Sequence, residues 1–117
     1  GTLVVTGNVS IGARPEHTEY QPMLGTINVT GKAASAIITD NVVADAEGDA
    51  SAIAVEGIAT IRGNEIRNCR LNHAIRVVGR TTAGTVTENR VRGGAYSGDV
   101  IAVESEDCAI EKNLVLD

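Results

Sequence analysis

The residues best suited to chemistry are arginines in the middle of the chain. Seven of the ten basic residues lie between Arg62 and Arg92, where only Glu65 and Glu88 are acidic. Guanidinium groups bind sulfate, phosphate and carboxylate through paired hydrogen bonds. This stretch therefore predicts a binding site for such an anion, with ordinary surface ion pairs as the alternative. Nucleic acid is not expected as a partner, because the whole chain carries a formal charge of −5 and its only aromatic residues are two tyrosines.

A second set of candidates lies in segments that read as loops. The segment ARPEHTEYQPML, residues 13–24, holds both prolines, and the segment 93–99 is rich in glycine. Tyrosine faces and polar side chains of this kind serve in sugar recognition. The predicted ligand-binding residues are Tyr20, His17, Arg67, Arg92, His73, Tyr96 and Asp99. Two of them have structural alternatives, since a histidine can cap a strand edge and a tyrosine can pack locally.

The sequence contains only weak indications of a metal site or of reactive thiols. The turn DAEGD places Asp45, Glu47 and Asp49 at the spacing of a calcium turn, but it lacks the remaining ligands of a complete loop. A solvated acidic turn is the alternative, and no cofactor is predicted. Cys69 and Cys108 occupy different positions in the repeat described below, so we expect no disulfide between them.

These residues are positioned by a repeat with a period of about 24 residues. One phrase reads VVTGNVS, IITDNVV, TIRGNEI, TVTENRV and AIEKNLV, centred on Asn8, Asn41, Asn64, Asn89 and Asn113. Each copy has a β-branched residue three positions before the asparagine. We expect the asparagine to tolerate left-handed backbone geometry, and its stacked amides to hydrogen-bond along an axis. A period of this size predicts a solenoid.

A second phrase is interleaved with the first: GTINVTG, SAIAVEG, HAIRVVG and DVIAVES. In it an isoleucine is followed two residues later by a valine, as in Ile53 and Val55. Because side chains two apart in a strand point to the same face, these residues should face inward. One coil therefore reads as a strand, a turn, a strand, the asparagine turn, a third strand and a variable loop.

The two phrases together resemble those of the right-handed parallel β-helix repeat proteins, the pectate-lyase-like superfamily. The resemblance covers residues 3–116 and implies an all-β, right-handed, single-stranded parallel β-helix of about five coils. A leucine-rich repeat is the nearest rival, but the few leucines do not fall in register. A left-handed hexapeptide helix is disfavoured because no six-residue period is visible.

The resemblance implies a module that binds carbohydrate or serves as a scaffold, without chemistry of its own. One alternative is part of a polysaccharide lyase, hydrolase or epimerase, for which the weak catalytic candidates are Arg76, Glu56 and Glu104. For the carbohydrate-binding module, small outward residues such as Ala54 and Ala102 are expected to form a flat wall for a glycan. Another alternative is a purely structural module that assembles with other copies.

We expect a single domain over residues 1–117, with ends that show no covering helix. Exposed strand edges at such ends favour pairing with flanking coils or with another copy. The chain is thus expected to be a segment of a longer solenoid or to be covered by another subunit. No membrane span is predicted, and the resemblance implies an extracellular, surface or virion-associated location.

Overall fold

The computed structural model describes residues 2–13, 25–29, 35–78, 84–104 and 108–116. These residues form strands and turns, with no helix among them and hence none that could cross a membrane. The strands are β1 (Thr2–Thr6), β2 (Val9–Ile11), β3 (Gly25–Val29), β4 (Ser35–Thr39), β5 (Val42–Ala44), β6 (Ser51–Glu56), β7 (Ile58–Arg62), β8 (Glu65–Arg67), β9 (Arg70–Leu71), β10 (His73–Val78), β11 (Thr85–Thr87), β12 (Arg90–Arg92), β13 (Ala95–Tyr96), β14 (Ile101–Glu104), β15 (Ala109–Glu111) and β16 (Leu114–Leu116).

Fourteen of the strands stack into three parallel sheets that run along one axis, and β9 and β13 form a fourth, two-stranded sheet. The first sheet has the order β1-β4-β7-β11-β15, the second β16-β12-β8-β5-β2, and the third β14-β10-β6-β3. Every pairing joins a strand to its counterpart one coil away, and all of them are parallel. The prediction of an all-β parallel solenoid is confirmed. The right-handed winding stays a prediction.

Inward-facing aliphatic columns form the core, as the two repeat phrases predict. Ile38, Ile61 and Val86 stack in the first sheet, and all three are fully buried. In the outermost coils the same column ends in Val5, which is only half-buried, and Ile110, which is 49% exposed. About three turns therefore form the closed body of the solenoid, fewer than the five coils predicted.

The asparagines form a continuous hydrogen-bonded ladder. The Nδ2 of each donates to the Oδ1 of the next, over 3.1 Å from Asn8 to Asn41 and 2.9 Å at each later step. The Oδ1 of Asn41, Asn64, Asn89 and Asn113 also accepts the backbone N–H of the preceding ladder residue, as Asn64 does from Asn41. The predicted amide stack is confirmed.

The reason predicted for the asparagine's conformation is wrong. Left-handed geometry belongs to the residue just before it, namely Gly7, Asp40, Gly63, Glu88 and Lys112, with φ between 56° and 68°. Asparagine is needed because a buried turn requires both an acceptor and two donors from one short side chain. Its Nδ2 donates a second time, to the carbonyl three residues before the preceding ladder asparagine, as Asn64 does to Ile38 over 2.9 Å.

The third sheet differs from the predicted flat wall. Ile53 and Val55 are fully buried as expected, but Ala54 between them is also 0% exposed. Ala54 is therefore inaccessible to a glycan, while Ala102 is partly exposed. Among the described residues of this sheet, Asn28 and Glu104 are exposed and Arg76 is partly exposed.

Candidate functional site

The solenoid brings Arg67 and Arg92 together as a stacked pair on the outer face of the second sheet. They are register partners in adjacent strands, β8 and β12, as the repeat predicts. The distance between adjacent strands places their Cα atoms about 5 Å apart. In the same column, Ala44 precedes Arg67 and Leu116 follows Arg92. The pair is thus flanked by aliphatic residues along the axis, which supply no counter-charge.

The turn that follows these strands completes a shallow groove. Arg67, Asn68, Arg92 and Gly93 line a cavity of about 260 Å³. Asn68 and Gly93 both have left-handed backbones, with φ of 53° and 63°, and the Asn68 carboxamide reaches over Gly93. A Cβ at position 93 would lie only 2.7 Å from Asn68 Oδ1. Glycine here leaves the carboxamide beside the two guanidinium groups.

Neither guanidinium of the pair is neutralised by an ion pair within the described part of the chain. Two other arginines are neutralised: Arg62 binds Glu88 at 3.2 Å, and Arg76 lies 4.0 Å from Glu104. Glu65 is in register with Arg90 as predicted, but no ion pair joins them in the described residues. The expectation that surface acids would neutralise the central arginines is therefore met for some of them and not for Arg67 and Arg92.

Only two of the three catalytic candidates, Arg76 and Glu104, lie close together. Arg76 contacts Glu104 across β10 and β14, with most of the Arg76 side chain covered and most of the Glu104 side chain exposed. Glu56 is in register with Val78, which lies between the two carboxylates in their column. The carboxylates are therefore two strand spacings apart, roughly 10 Å between Cα atoms. This arrangement contains an ion pair but identifies no general acid or base.

The loop candidates are partly brought together. His73 Nδ1 lies 2.6 Å from the carbonyl oxygen of Asp99, so this nitrogen donates the hydrogen bond. The ring also packs under Gly98, where a Cβ would approach it to 2.5 Å. This contact matches the strand-capping alternative for His73. His17 and Tyr20 lie outside the described residues.

Tyr96 packs inward rather than presenting a free aromatic face. It is in register with Leu71 in a short two-stranded sheet, β9-β13, that runs through the predicted loops. The ring is half-buried against the core, and its hydroxyl is buried without a hydrogen-bond partner among the described residues. Burial, with a smaller contribution from Cys69, raises the pKa of Tyr96 well above its ordinary value.

We expect Tyr96→Phe to leave the free energy of unfolding unchanged or to raise it by up to about 1 kcal/mol, because an unpaired buried hydroxyl is removed. The pKa of Tyr96 is higher in the folded chain than in the unfolded one, so the unfolded state releases this proton first as the pH rises above about 10. The wild type should therefore lose stability above that pH more steeply than the variant. Urea titrations of the wild type and the variant at several alkaline pH values measure both effects. A loss of more than about 1 kcal/mol in Tyr96→Phe at neutral pH would contradict this account.

The acidic turn does not assemble a metal site in the described part of the chain. No group of three or more His, Cys, Asp or Glu side chains lies close enough there to hold a metal ion. Asp45 has a left-handed backbone, and Glu47 forms a parallel bridge with Arg70. The turn thus joins one coil to the next through its backbone.

The two cysteines are free thiols. Cys69 is fully buried and lies 3.4 Å from the carbonyl oxygen of Arg67. Burial raises the pKa of both thiols. Cys69 therefore behaves as a core residue.

Asn68 and Gly93 are site residues that sequence reasoning missed. Both were assigned only to loops. Their shared position in the repeat could have indicated a recurring turn. Both lie four residues after a ladder asparagine, as do Gly12 and Asp45. All four adopt a left-handed backbone, a conformation that glycine, asparagine and aspartate tolerate best.

The fold and the ladder define the class of this chain as a parallel β-solenoid with an internal asparagine ladder. No family model, curated protein or solved structure matches the chain. The superfamily suggested by the repeat phrases is therefore not established by comparison, and functional arguments rest on the geometry of this chain.

Proposed function

We propose that this chain is a carbohydrate-binding solenoid module, without catalysis of its own, that binds an acidic polysaccharide. The observation that carries the proposal is the stacked pair Arg67 and Arg92, held in register on adjacent strands with no ion-pair partner among the described residues. Two like charges so close together repel each other unless an anion lies between them. A carboxylate or sulfate group of a glycan supplies that anion.

The chemistry of the groove favours an oxyanion over a neutral sugar. Each guanidinium offers planar donors for bidentate hydrogen bonds, and Asn68 adds a carboxamide at the rim. The groove is open and shallow, so a chain-like ligand can cross it without threading. Glu65 lies two residues before Arg67 on the same strand, and the backbone N–H of Asp45 donates to the Arg67 carbonyl over 3.1 Å. Both carboxylates limit the net positive charge near the pair, which favours a ligand with spaced charges over a dense polyanion.

The test is a binding titration of the chain against polygalacturonate, a sulfated glycosaminoglycan and a neutral dextran, at low and moderate salt. We expect binding to one or both acidic polymers and none to dextran. Arg67→Ala with Arg92→Ala should weaken binding by about 10- to 100-fold, because charge-assisted hydrogen bonds contribute about 1.5–3 kcal/mol. Added salt should weaken binding by the wild type.

The matched control is Arg62→Ala with Arg90→Ala, which changes the net charge equally but leaves the stacked pair intact. It should alter the affinity by no more than about twofold to threefold, as expected for exposed charges outside the site. Arg67→Lys with Arg92→Lys keeps the charge and removes the bidentate geometry, so it should give an intermediate affinity. Equal losses in the alanine pair and its control would refute a specific site.

Assaying newly released sugar ends in the same samples tests the enzymatic alternative. Cleavage that is lost in Arg76→Ala would replace the proposal by a lyase or hydrolase function on the third sheet. Binding without cleavage supports the module proposed here. The extracellular or surface location stays a prediction.

A further inference from the structure

Polar cavities lie at both ends of the strands β8 and β12 in the second sheet. The groove at Arg67 and Arg92, which follows these strands, is one of them, and we call it the arginine cavity. The other, which we call the aspartate cavity, precedes the same strands and has a volume of about 310 Å³. It is lined by Thr39, Asp40, Arg62, Gly63 and Glu88. From residue 88 to residue 92 the backbone spans at most about 13 Å, so one oligosaccharide can reach both cavities.

The two cavities are built from the same turn geometry. Asp40 has a left-handed backbone, with φ of 56°, and its carboxylate reaches over Gly63 in the next coil, as the Asn68 carboxamide reaches over Gly93. A Cβ on either glycine would lie 2.7 Å from the Oδ1 of its neighbour. The two turns therefore present a side-chain oxygen in the same way, but Asp40 carries a negative charge and Asn68 carries none.

The cavities carry opposite charge. Two guanidinium groups and no carboxylate lie among the described residues that line the arginine cavity. The aspartate cavity contains two carboxylates and one guanidinium, and that guanidinium is already bound, since Arg62 Nε and a terminal nitrogen each donate to Glu88 Oε2 over 3.2 Å. The carboxylate of Asp40 is exposed and has no ion-pair partner in the described part of the chain. Between the cavities, the register partners Glu65 and Arg90 add one charge of each sign.

From this arrangement we infer that the second sheet selects an acidic polysaccharide in which charged and uncharged sugars alternate, and that Asp40 rejects a polymer with an anion on every sugar. The inference rests on the proposed function, in which an anion occupies the arginine cavity. Ala44 and Leu116 flank that cavity along the axis, so further polar contacts for the ligand lie along the strands, toward the aspartate cavity.

The chemistry of the aspartate cavity separates the two kinds of polymer. A second anion on the ligand is repelled there by the carboxylates of Asp40 and Glu88. The hydroxyl groups of an uncharged sugar can instead donate to the Asp40 carboxylate, in hydrogen bonds strengthened by its charge. Specificity then comes from a repulsive contact with the wrong ligand as well as an attractive contact with the right one.

Calorimetric titration with two oligosaccharides of equal length tests the inference. One is a hyaluronan hexasaccharide, in which a uronate alternates with an uncharged N-acetylated sugar, and the other is a galacturonate hexasaccharide, with a carboxylate on every sugar. The wild type should bind the alternating hexasaccharide more tightly by about threefold or more, the effect of one close like-charge contact in water. Asp40→Asn removes the repulsion and keeps a residue that tolerates a left-handed backbone. It should strengthen binding of the galacturonate hexasaccharide and reduce the preference to less than about twofold.

Two further variants control for net charge and for the position of the anion. Glu104→Gln makes the same charge change on the third sheet, outside both cavities, and should leave the preference unchanged. Asn68→Asp places a carboxylate beside the two arginines and should weaken binding of both hexasaccharides by about threefold or more.

The outcomes distinguish this inference from the proposed function. Failure of the wild type to bind either hexasaccharide would overturn both. Binding that depends on Arg67 and Arg92 but shows no preference for the alternating hexasaccharide would overturn the inference alone. A preference that persists in Asp40→Asn would also overturn it, because the discrimination would then arise elsewhere on the chain.

Discussion

Replacing Asn64 with alanine is expected to lower the free energy of unfolding by about 3 kcal/mol or more, because three buried groups each lose a partner at about 1–3 kcal/mol. The backbone N–H of Asn41 and its Nδ2 both donate to Asn64 Oδ1, over 3.0 and 2.9 Å. The carbonyl of Ile38 accepts from Asn64 Nδ2. Asn41 and Asn64 are each only 1% exposed, so water cannot replace these bonds without opening the coil. Urea unfolding followed by circular dichroism measures the loss, with an unchanged m-value as the sign of an intact native fold.

The ladder contains its own controls. Asn8→Ala removes two donors at an exposed position, but Asn41 Oδ1 keeps the backbone N–H of residue 8 as a donor. This variant should lose no more than about 1 kcal/mol. Asn113→Ala removes the acceptor of the Asn89 backbone N–H and one of the two acceptors of Asn89 Nδ2, which keeps the carbonyl of Ile61. Because Asn113 lies in a half-buried terminal coil, the loss should be intermediate. Equal losses at positions 8, 64 and 113 would mean that the buried ladder hydrogen bonds add nothing to stability. The aliphatic columns alone would then stabilise the solenoid.

The sequence predicts the ladder and the columns because both depend on position within the repeat. Once Asn41, Asn64 and Asn89 are aligned, the register partners in the first and second sheets follow. The partners in the third sheet follow from aligning the isoleucines of the second phrase. The pairs Arg67–Arg92 and Glu65–Arg90 are found where the alignment places them. Backbone hydrogen bonding fixes Cα neighbours across a parallel sheet to within one strand spacing.

The sequence does not predict which charges meet, because register does not determine the rotamers of long exposed side chains. Glu65 and Arg90 are direct register partners and form no ion pair among the described residues. Arg62 and Glu88 lie one position out of register and do form one, with Arg62 Nε and one terminal guanidinium nitrogen each 3.2 Å from Glu88 Oε2. The candidate site depends on this difference, since Arg67 and Arg92 are stacked in register and neither forms an ion pair with a described residue.

The backbone conformation of the turns could not be predicted from the repeat phrases either. The left-handed residue precedes the ladder asparagine, and at the five ladder positions it is glycine, aspartate, glycine, glutamate and lysine. This variety hides the conformation from composition, because the hydrogen bonds of the neighbouring asparagine impose it. The short sheet β9-β13 was similarly hidden, since its two-residue strands, Arg70–Leu71 and Ala95–Tyr96, carry no alternating pattern.

Gly94→Ala is expected to lower the free energy of unfolding by about 3 kcal/mol or more. The backbone of Gly94 has φ of 88°, which costs an alanine about 1–2 kcal/mol. A Cβ there would also overlap the carbonyl oxygen of Cys69 and lie 2.8 Å from its amide nitrogen. Because these are backbone atoms of a buried residue, the chain must shift, and the 2.9 Å hydrogen bond from Ala95 N–H to the Cys69 carbonyl is weakened.

Gly12→Ala separates the two causes of this loss. Gly12 has φ of 75°, and an added Cβ would meet nothing within 4 Å. Gly12→Ala should lower the free energy of unfolding only by the cost of a left-handed backbone, about 1–2 kcal/mol. The additional loss in Gly94→Ala therefore measures the energetic cost of the steric overlap with the Cys69 backbone. If both variants lose the same stability in urea, backbone conformation alone explains the glycine. A larger loss in Gly94→Ala would instead show that two consecutive left-handed glycines, Gly93 and Gly94, exist to bring the turn onto Cys69, the same turn in which Gly93 leaves room for the Asn68 carboxamide.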